Sequence, residues 1–162
     1  MNASDHDPLN PHSHDPNPAP PSASPNFSLI LPDGRKQPVD AASLRTLPRK
    51  TVSDCYIVST GHGTSGPFTF EGVLLLDLIE HNLDEGTGWS QVEIASEDGF
   101  GTRIDRKEVE NPQPGEHILL ADTRDGKELS RQDGLVRLIV PGERDDALRQ
   151  VKWVDVVRLV SR

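Results

Sequence analysis

The apolar segments of this sequence are short, and turn-forming pairs such as Asp33-Gly34 and Asp125-Gly126 separate them. Many of the segments carry β-branched residues, which favour strands. Helices are indicated mainly at 41–47 and at 73–82, where the apolar residues of the longer stretch lie on one face. Many strands combined with two or three short helices predict a mixed, strand-rich α+β domain rather than a repeating βαβ fold.

The boundaries of these elements follow from the apolar alternation and the turns that interrupt it. The first helix begins after Asp40, whose side chain can cap it, and it ends at Pro48. Strands are predicted over Phe27–Leu31, Lys36–Val39, Thr51–Ser59, Phe68–Phe70, Gln91–Ser96, Phe100–Ile104, Ile118–Ala121, Leu135–Val140 and Val151–Val160.

The first 25 residues differ in composition from the rest of the chain. They are mostly Asn, Ser, Asp, His, Pro and Ala, with Leu9 as their only sizeable apolar side chain after Met1. Such a segment cannot bury enough apolar surface to offset the entropy of ordering. We therefore expect a disordered tail over 1–25 and a single domain over 26–162.

Charge and cysteine content exclude several classes of protein. The net charge of −9, the scattered Lys and Arg residues and the low aromatic content of 4% argue against a nucleic-acid-binding surface. The first 25 residues contain no basic n-region and no apolar h-region, and no apolar run reaches the roughly 20 residues that a membrane helix needs, so we expect neither a signal peptide nor a membrane span. A single cysteine, Cys55, excludes an internal disulfide. We expect a cytoplasmic protein that binds neither nucleic acid nor membrane.

The segment Ser59–Gly66 contains three glycines, several hydroxyl side chains and His62. Glycine lets backbone N–H groups approach an anion closely, and a histidine between glycines can reach a ligand. The glycines match a dinucleotide fingerprint in spacing, but Pro67 and strand residues follow where a helix must begin, and no nucleophile-elbow motif is present. Two interpretations remain open: a ligand-binding loop, and a long β-connection whose glycines relieve backbone strain.

Cys55 and Arg137 lie on predicted strands, and each has two interpretations. Cys55 is either a reactive thiol or metal ligand, or a buried small hydrophobe that shares a face with Ser53, Ile57 and Ser59. Arg137 lies between apolar neighbours. It is therefore either a surface charge or a cation in a cleft that a bound anion neutralises.

Five segments stand in a particular order along the chain: Phe70–Ile79, Ala95–Phe100, Leu119–Leu129, Gly134–Gly142 and Val151–Val154. In this order they resemble the molybdopterin-binding domain of sulfite-oxidase-type oxidoreductases, over about residues 27–160. The resemblance implies a strand-rich α+β fold that binds a molybdenum-pterin cofactor. It also implies oxygen-atom or electron transfer at the metal, with a separate redox partner.

The resemblance further implies where the cofactor lies. The pocket falls at the loop after the third predicted strand, and the phosphate end of the pterin falls near Arg137 and Lys152. Catalytic members bind molybdenum through a cysteine thiolate, a soft ligand, and Cys55 is the only cysteine present. The implied metal ligand is thus Cys55, and the implied cofactor-binding residues are Thr60, Gly61, His62, Gly63, Thr64, Ser65, Asp98, Arg137 and Lys152.

Two features depart from the family pattern. The ligand cysteine usually begins a loop, whereas Cys55 lies inside a predicted strand. A histidine commonly precedes the glycine of the Gly-x-x-Arg segment, whereas this chain has Gln132-Asp133 before Gly134. The first functional hypothesis is a molybdopterin-dependent oxidoreductase. The second, favoured by the position of Cys55, is a cofactor-free binding or scaffold module that keeps the fold and binds another small molecule or a protein partner.

Overall fold

A computed structural model describes residues 24–59, 63–97, 99–112, 117–141 and 151–161. The described residues form two five-stranded sheets and three short helices, which confirms the strand-rich α+β fold. The helices are α1 (Ala41–Arg45), α2 (Leu75–Asn82) and α3 (Arg106–Glu110). The strands are β1 (Phe27–Ile30), β2 (Lys36–Val39), β3 (Arg49–Ser59), β4 (Gly63–Leu74), β5 (Gln91–Ser96), β6 (Gly101–Asp105), β7 (Leu119–Arg124), β8 (Lys127–Glu128), β9 (Arg137–Ile139) and β10 (Val154–Val160).

The two sheets differ in how their strands pair. Sheet A has the order β2-β1-β10-β5-β6, and its pairs are antiparallel except for the parallel pair β1–β10. Sheet B has the order β3-β4-β7, and both β8 and β9 pair with β7 along different parts of that strand. The β7–β9 register places Arg137 opposite Ala121. Arg137 therefore lies in the same sheet as the β3–β4 hairpin, separated from β4 by β7.

Alternate residues of sheet B face two different apolar clusters, as the period of a strand requires. Leu120 and Leu138 join the main core, which also contains the inner face of sheet A and the apolar faces of all three helices. Their neighbours Leu119 and Ile139 join a smaller cluster on the opposite side, which we call the outer face of sheet B. The outer face consists of Val52, Cys55, Phe70, Leu119, Ala121, Leu129 and Ile139.

Strand pairing explains two of the predicted boundaries that are wrong. The predicted loop over 60–67 is largely strand, because β4 begins at Gly63 and pairs with Ser59 of β3. The predicted helix over 73–82 begins only at Leu75, because Leu74 still pairs with β7. Cross-strand hydrogen bonds outweigh the local composition at both places.

The helix over 41–47 forms largely as expected. Asp40 caps it, since its side chain accepts a 2.7 Å hydrogen bond from the backbone N–H of Ser43, and the helical residues are Ala41–Arg45. This cap satisfies one of the backbone donors that a helix leaves free at its start.

A largely buried ion pair ties β3 to β7. Asp122 is 7% exposed, and its carboxylate accepts hydrogen bonds of 2.6 and 3.0 Å from the guanidinium of Arg49. Burial alone raises the pKa of Asp122, but the hydrogen bonds from Arg49 and Thr123 outweigh it and hold that pKa below its usual value. The pair therefore stabilises the fold only while the carboxylate is ionised.

Replacing Asp122 tests this pair. Asp122→Asn leaves Arg49 without its buried partner, so we expect a loss of about 2 kcal/mol in the free energy of unfolding at pH 7, measured by urea denaturation. The folded-state pKa is lowered, so the contribution is present above the unfolded-state value of about 3.9 and is lost as the pH falls through the folded-state value. The difference between the two proteins should thus shrink below about pH 4.

Glu71→Gln is the matched control, because the half-exposed Glu71 also binds Arg49 at 3.1 Å. We expect it to change the stability by less than about 1 kcal/mol. Equal losses in the two variants would contradict the assignment of the stability to the buried pair.

Candidate anion-binding site on the outer face of sheet B

Arg137 is a cation buried on an otherwise apolar face. It lies on β9 two residues before Ile139, so both side chains point to the outer face of sheet B, and Arg137 is only 5% exposed. Its Nη1 lies 3.5 Å from the backbone carbonyl oxygen of Asp133, at the long limit for a hydrogen bond. Its Nε has no hydrogen-bond partner within the described part of the chain. A buried donor without a partner is rare and indicates a place for a bound acceptor.

The electrostatic surroundings of Arg137 also favour an anion. Burial lowers the pKa of Arg137 to about 10, the nearby positive charge of Arg124 lowers it as well, and the carboxylate of Asp133 partly opposes both effects. Arg137 still carries its charge at neutral pH. An anion bound here would relieve both the desolvation of Arg137 and its repulsion from Arg124.

Two phenylalanines form the floor beneath the two guanidinium groups. The Arg137 Cζ lies 5.9 Å from the ring centroid of Phe70, and the Arg124 Cζ lies 5.0 Å from that of Phe68. The two rings meet edge to face at 5.9 Å. Cation–π contact holds a guanidinium against a ring while its edge remains available for hydrogen bonds.

The turn before β9 positions Arg137 through Gly134. Gly134 is buried at φ +110°, and an added Cβ would lie 3.0 Å from both Arg137 Cγ and Lys152 Cβ. A larger residue would therefore strain the backbone and displace both side chains. The structure thus brings the stems of Arg137 and Lys152 close to the same glycine.

The amine of Lys152 points toward the backbone of Gln132. Its Nζ lies 3.5 Å from the backbone carbonyl oxygen of Gln132 and 5.1 Å from the ring centroid of Trp153. Trp153 is fixed in turn by a 2.7 Å hydrogen bond from its indole N–H to the carbonyl oxygen of Arg131. Lys152 therefore contributes positive charge beside the segment that precedes Arg137.

Cys55 lies on the same outer face, where a bulge in β3 places it. Asp54 adopts φ +57°, and the β3–β4 register shifts on both sides of Cys55. Cys55 is consequently buried at 4% exposure together with Val52, whereas Ser53 is exposed. The prediction that Cys55 shares a face with Ser53 is wrong, because the bulge adds a residue to the alternation.

The thiol of Cys55 is protonated in these surroundings. Burial raises its pKa to about 11, and the negative charge of Asp54 adds to the effect. The Sγ lies 3.9 Å from the carbonyl oxygen of Val52, a weak contact. A bound cation would be needed to stabilise the thiolate.

The structure describes only some of the other implied site residues, and some of those only in their backbone. Thr60, Gly61, His62 and Asp98 lie outside the described residues. Gly63, Thr64 and Ser65 belong to the described backbone of β4. Gly66, at φ +124°, approaches the Cys55 segment so closely that an added Cβ would lie 2.7 Å from the Cys55 carbonyl oxygen. The glycine-rich segment and Cys55 are thus neighbours.

An open cavity of about 510 Å³ adjoins the site. This volume lies within the usual range for small-ligand pockets. No group of three or more His, Cys, Asp or Glu residues in the described ranges is arranged to hold a metal ion. The cavity is lined by Arg124, Asp125, Lys127, Glu128, Leu129, Ser130 and Asp133.

Sequence reasoning did not single out Arg124 or Asp133 as site residues. Arg124 pairs with Phe70 across β4 and β7, and a partner so distant in the chain leaves no local pattern. Asp133 was visible as the residue before Gly134, where the resemblance leads one to expect histidine. The presence of Asp133 in place of histidine was the one feature of the sequence that could have pointed to it as a site residue.

Fold and site together define a two-sheet α+β domain with a buried arginine on one outer sheet face, whose Nε lacks a partner among the described residues. The chain belongs to the oxidoreductase molybdopterin-binding domain family, whose model matches residues 41–162. No curated protein sequence gives a significant match.

Among solved structures, the chain is similar to the sulfane dehydrogenase SoxCD from Paracoccus pantotrophus, with a TM-score of 0.66 and 18% identity. The match covers 85% of this chain and 38% of that chain, so this chain corresponds to less than half of the SoxCD chain. At this identity, the likeness establishes the fold. No helix in the described ranges is long and apolar enough to cross a membrane.

The buried state of Cys55 predicts low reactivity. A pKa near 11 leaves about a hundredfold less thiolate at pH 8 than an ordinary cysteine has. We therefore expect the native protein to react with an aromatic disulfide reagent at least about a hundredfold more slowly than the urea-unfolded chain, measured by absorbance. Asp54→Asn keeps a residue that tolerates positive φ but removes the charge, so it should speed the reaction. Equal rates in native and unfolded protein would contradict the burial.

Proposed function

We propose that this domain binds a molybdopterin cofactor on the outer face of sheet B and supports molybdenum-dependent oxygen-atom or electron transfer. The observation that carries the proposal is the buried Arg137, whose Nε has no partner among the described residues. The family assignment supports a pterin ligand in particular. The phosphate of that ligand is an acceptor of the kind this donor lacks.

The residues present fit the anionic part of the cofactor. Arg137 offers a guanidinium already held by Phe70 and Gly134, so binding a phosphate requires little further ordering of that side chain. Arg124 and Lys152 add positive charge nearby, which strengthens the attraction for a doubly charged group. We assign the phosphate end to Arg137, with Lys152 in support.

Cys55 fits the metal end, although its thiol is neutral in the structure described. Its sulfur lies in the apolar cluster that also contains Phe70, the ring beneath Arg137. A metal cation there would reverse the preference for the protonated thiol, and the surrounding apolar side chains would exclude water from the sulfur. The described part of the glycine-rich segment, which approaches Cys55 at Gly66, completes the proposed pocket.

The cofactor, when bound, supplies the redox chemistry, and the chain supplies binding and orientation. Arg137 fixes the phosphate, and the floor of Phe68 and Phe70 keeps the guanidinium groups in place. Electrons would pass to or from a separate redox protein. We place the protein in the cytoplasm as part of this proposal.

A second function is favoured by one observation, the burial and raised pKa of Cys55. A core thiol that binds no metal would leave Arg137 as a site for some other anionic small molecule or for an acidic partner. The domain would then be a cofactor-free binding module that keeps the family fold.

Cofactor content distinguishes the two functions. The full chain is purified from a host that makes the molybdenum cofactor, and molybdenum and released pterin are measured by elemental analysis and by fluorescence. We expect near-stoichiometric amounts of both in the wild type and a loss of both in Arg137→Gln. Cys55→Ala keeps the site apolar, so it should lose metal while the fold is retained, as circular dichroism would show.

Arg158→Gln is the control for the loss of a guanidinium, because Arg158 is exposed on sheet A and pairs with Glu93. It should retain both metal and pterin. Absence of metal and pterin from the wild type would refute the proposal in favour of the cofactor-free module. Full metal content in Cys55→Ala would remove Cys55 from the site.

A further inference from the structure

Asp133 lies between the open cavity and the buried arginine. It lines the cavity of about 510 Å³, while its backbone carbonyl oxygen lies 3.5 Å from Arg137 Nη1. Arg124 lines the same cavity, and its Nη2 lies 3.4 Å from a carboxylate oxygen of Asp133. A ligand that approaches Arg137 through this cavity therefore meets the Arg124–Asp133 ion pair.

The carboxylate of Asp133 is held in place and ionised. Its second oxygen accepts a 2.9 Å hydrogen bond from the hydroxyl of Ser130, whose own oxygen accepts from the backbone N–H of Asp133 at 3.1 Å. Partial burial raises the pKa of Asp133, but the bond from Ser130 and the charge of Arg124 outweigh it and keep that pKa below its usual value. At neutral pH, Asp133 is a fixed negative charge beside two guanidinium groups.

The fixed carboxylate of Asp133 works against the binding of an external anion, which Arg137 and Arg124 favour. Burial of Arg137 and its repulsion from Arg124 both call for a negative charge, and Asp133 supplies part of it from within the chain. An incoming anion meets like-charge repulsion from Asp133 and must compete with it for Arg124. The resident carboxylate thus keeps the pair of arginines partly neutralised while no ligand is bound.

We propose that Asp133 is an internal counter-ion that competes with the anionic ligand for Arg124 and Arg137 and so sets the affinity of the site. The ligand that competes with Asp133 for these arginines is a phosphate group, free or esterified. The inference rests on the proposed function, because it assumes that Arg137 accepts such a group. Asp133 is a specificity-determining residue in this account, since a weakly held or singly charged anion does not displace it.

The experiment is a calorimetric titration of the full chain, made in a host without the molybdenum cofactor, with inorganic phosphate at constant ionic strength and pH 8. Asp133→Asn keeps the shape and an acceptor for Ser130 but removes the charge. We expect it to raise the phosphate affinity about tenfold. Arg137→Gln should abolish binding. Glu80→Gln, which removes an equal charge from the exposed side of α2, should leave the affinity unchanged.

A second measurement does not depend on the folding of a variant. In the wild type labelled with ¹⁵N-arginine and ¹³C-aspartate, phosphate should shift the Arg137 Nε resonance and also the carboxyl resonance of Asp133, as the latter loses Arg124.

The outcomes separate the two proposals. Phosphate binding that needs Arg137 but is unchanged in Asp133→Asn, with a stationary Asp133 resonance, would overturn the counter-ion and leave the anion site intact. No phosphate binding in any protein, and no shift of Arg137 Nε, would remove the anion site and with it the basis of the proposed function.

Discussion

The pairing of β4 with β7 is the contact on which the rest of this domain depends. Gly72 makes it possible, because an added Cβ at that position would lie 2.1 Å from the Leu120 carbonyl oxygen. This close approach sets Phe70 opposite Arg124, and β7 in turn sets Ala121 opposite Arg137. Residues from three distant parts of the chain reach one sheet face through the registers of β7 with β4 and with β9, and a slip of one residue in either register would move side chains to the opposite face.

That register also explains why one sheet can serve two purposes. The inner face of sheet B packs with sheet A and the helices, and it is entirely apolar in the main cluster. The outer face carries a smaller apolar cluster and is bordered by cations and by a turn rich in polar groups. The main core and the proposed anion site thus lie on opposite sides of the same strands. Arg137 combines features of both sides, since it is charged and yet almost completely buried.

The sequence predicted the fold class and the order of most strands, because these follow from local patterns and from the resemblance, but it missed α3 and the short β8. It did not predict where β4 begins, since pairing with Ser59 outweighs a glycine-rich composition. It also missed the face of Cys55, because the positive φ of Asp54 adds a bulge that alternation alone does not reveal. Arg124 became part of the site only through its cross-strand neighbour, a relation that no local window contains.

The parallel pair of β1 and β10 has a consequence for how the chain reaches this structure. Ser28 lies beside Val156, so nearly the whole domain lies between the two strands, and β10 occupies the centre of sheet A. During synthesis, the β1–β2 and β5–β6 hairpins leave the ribosome before β10. The edges of β1 and β5 that will pair with β10 therefore stay unpaired until β10 has been made. Unpaired edges invite association with other chains. Sheet A can therefore close only after β10 has been synthesised, so its folding is expected to finish late.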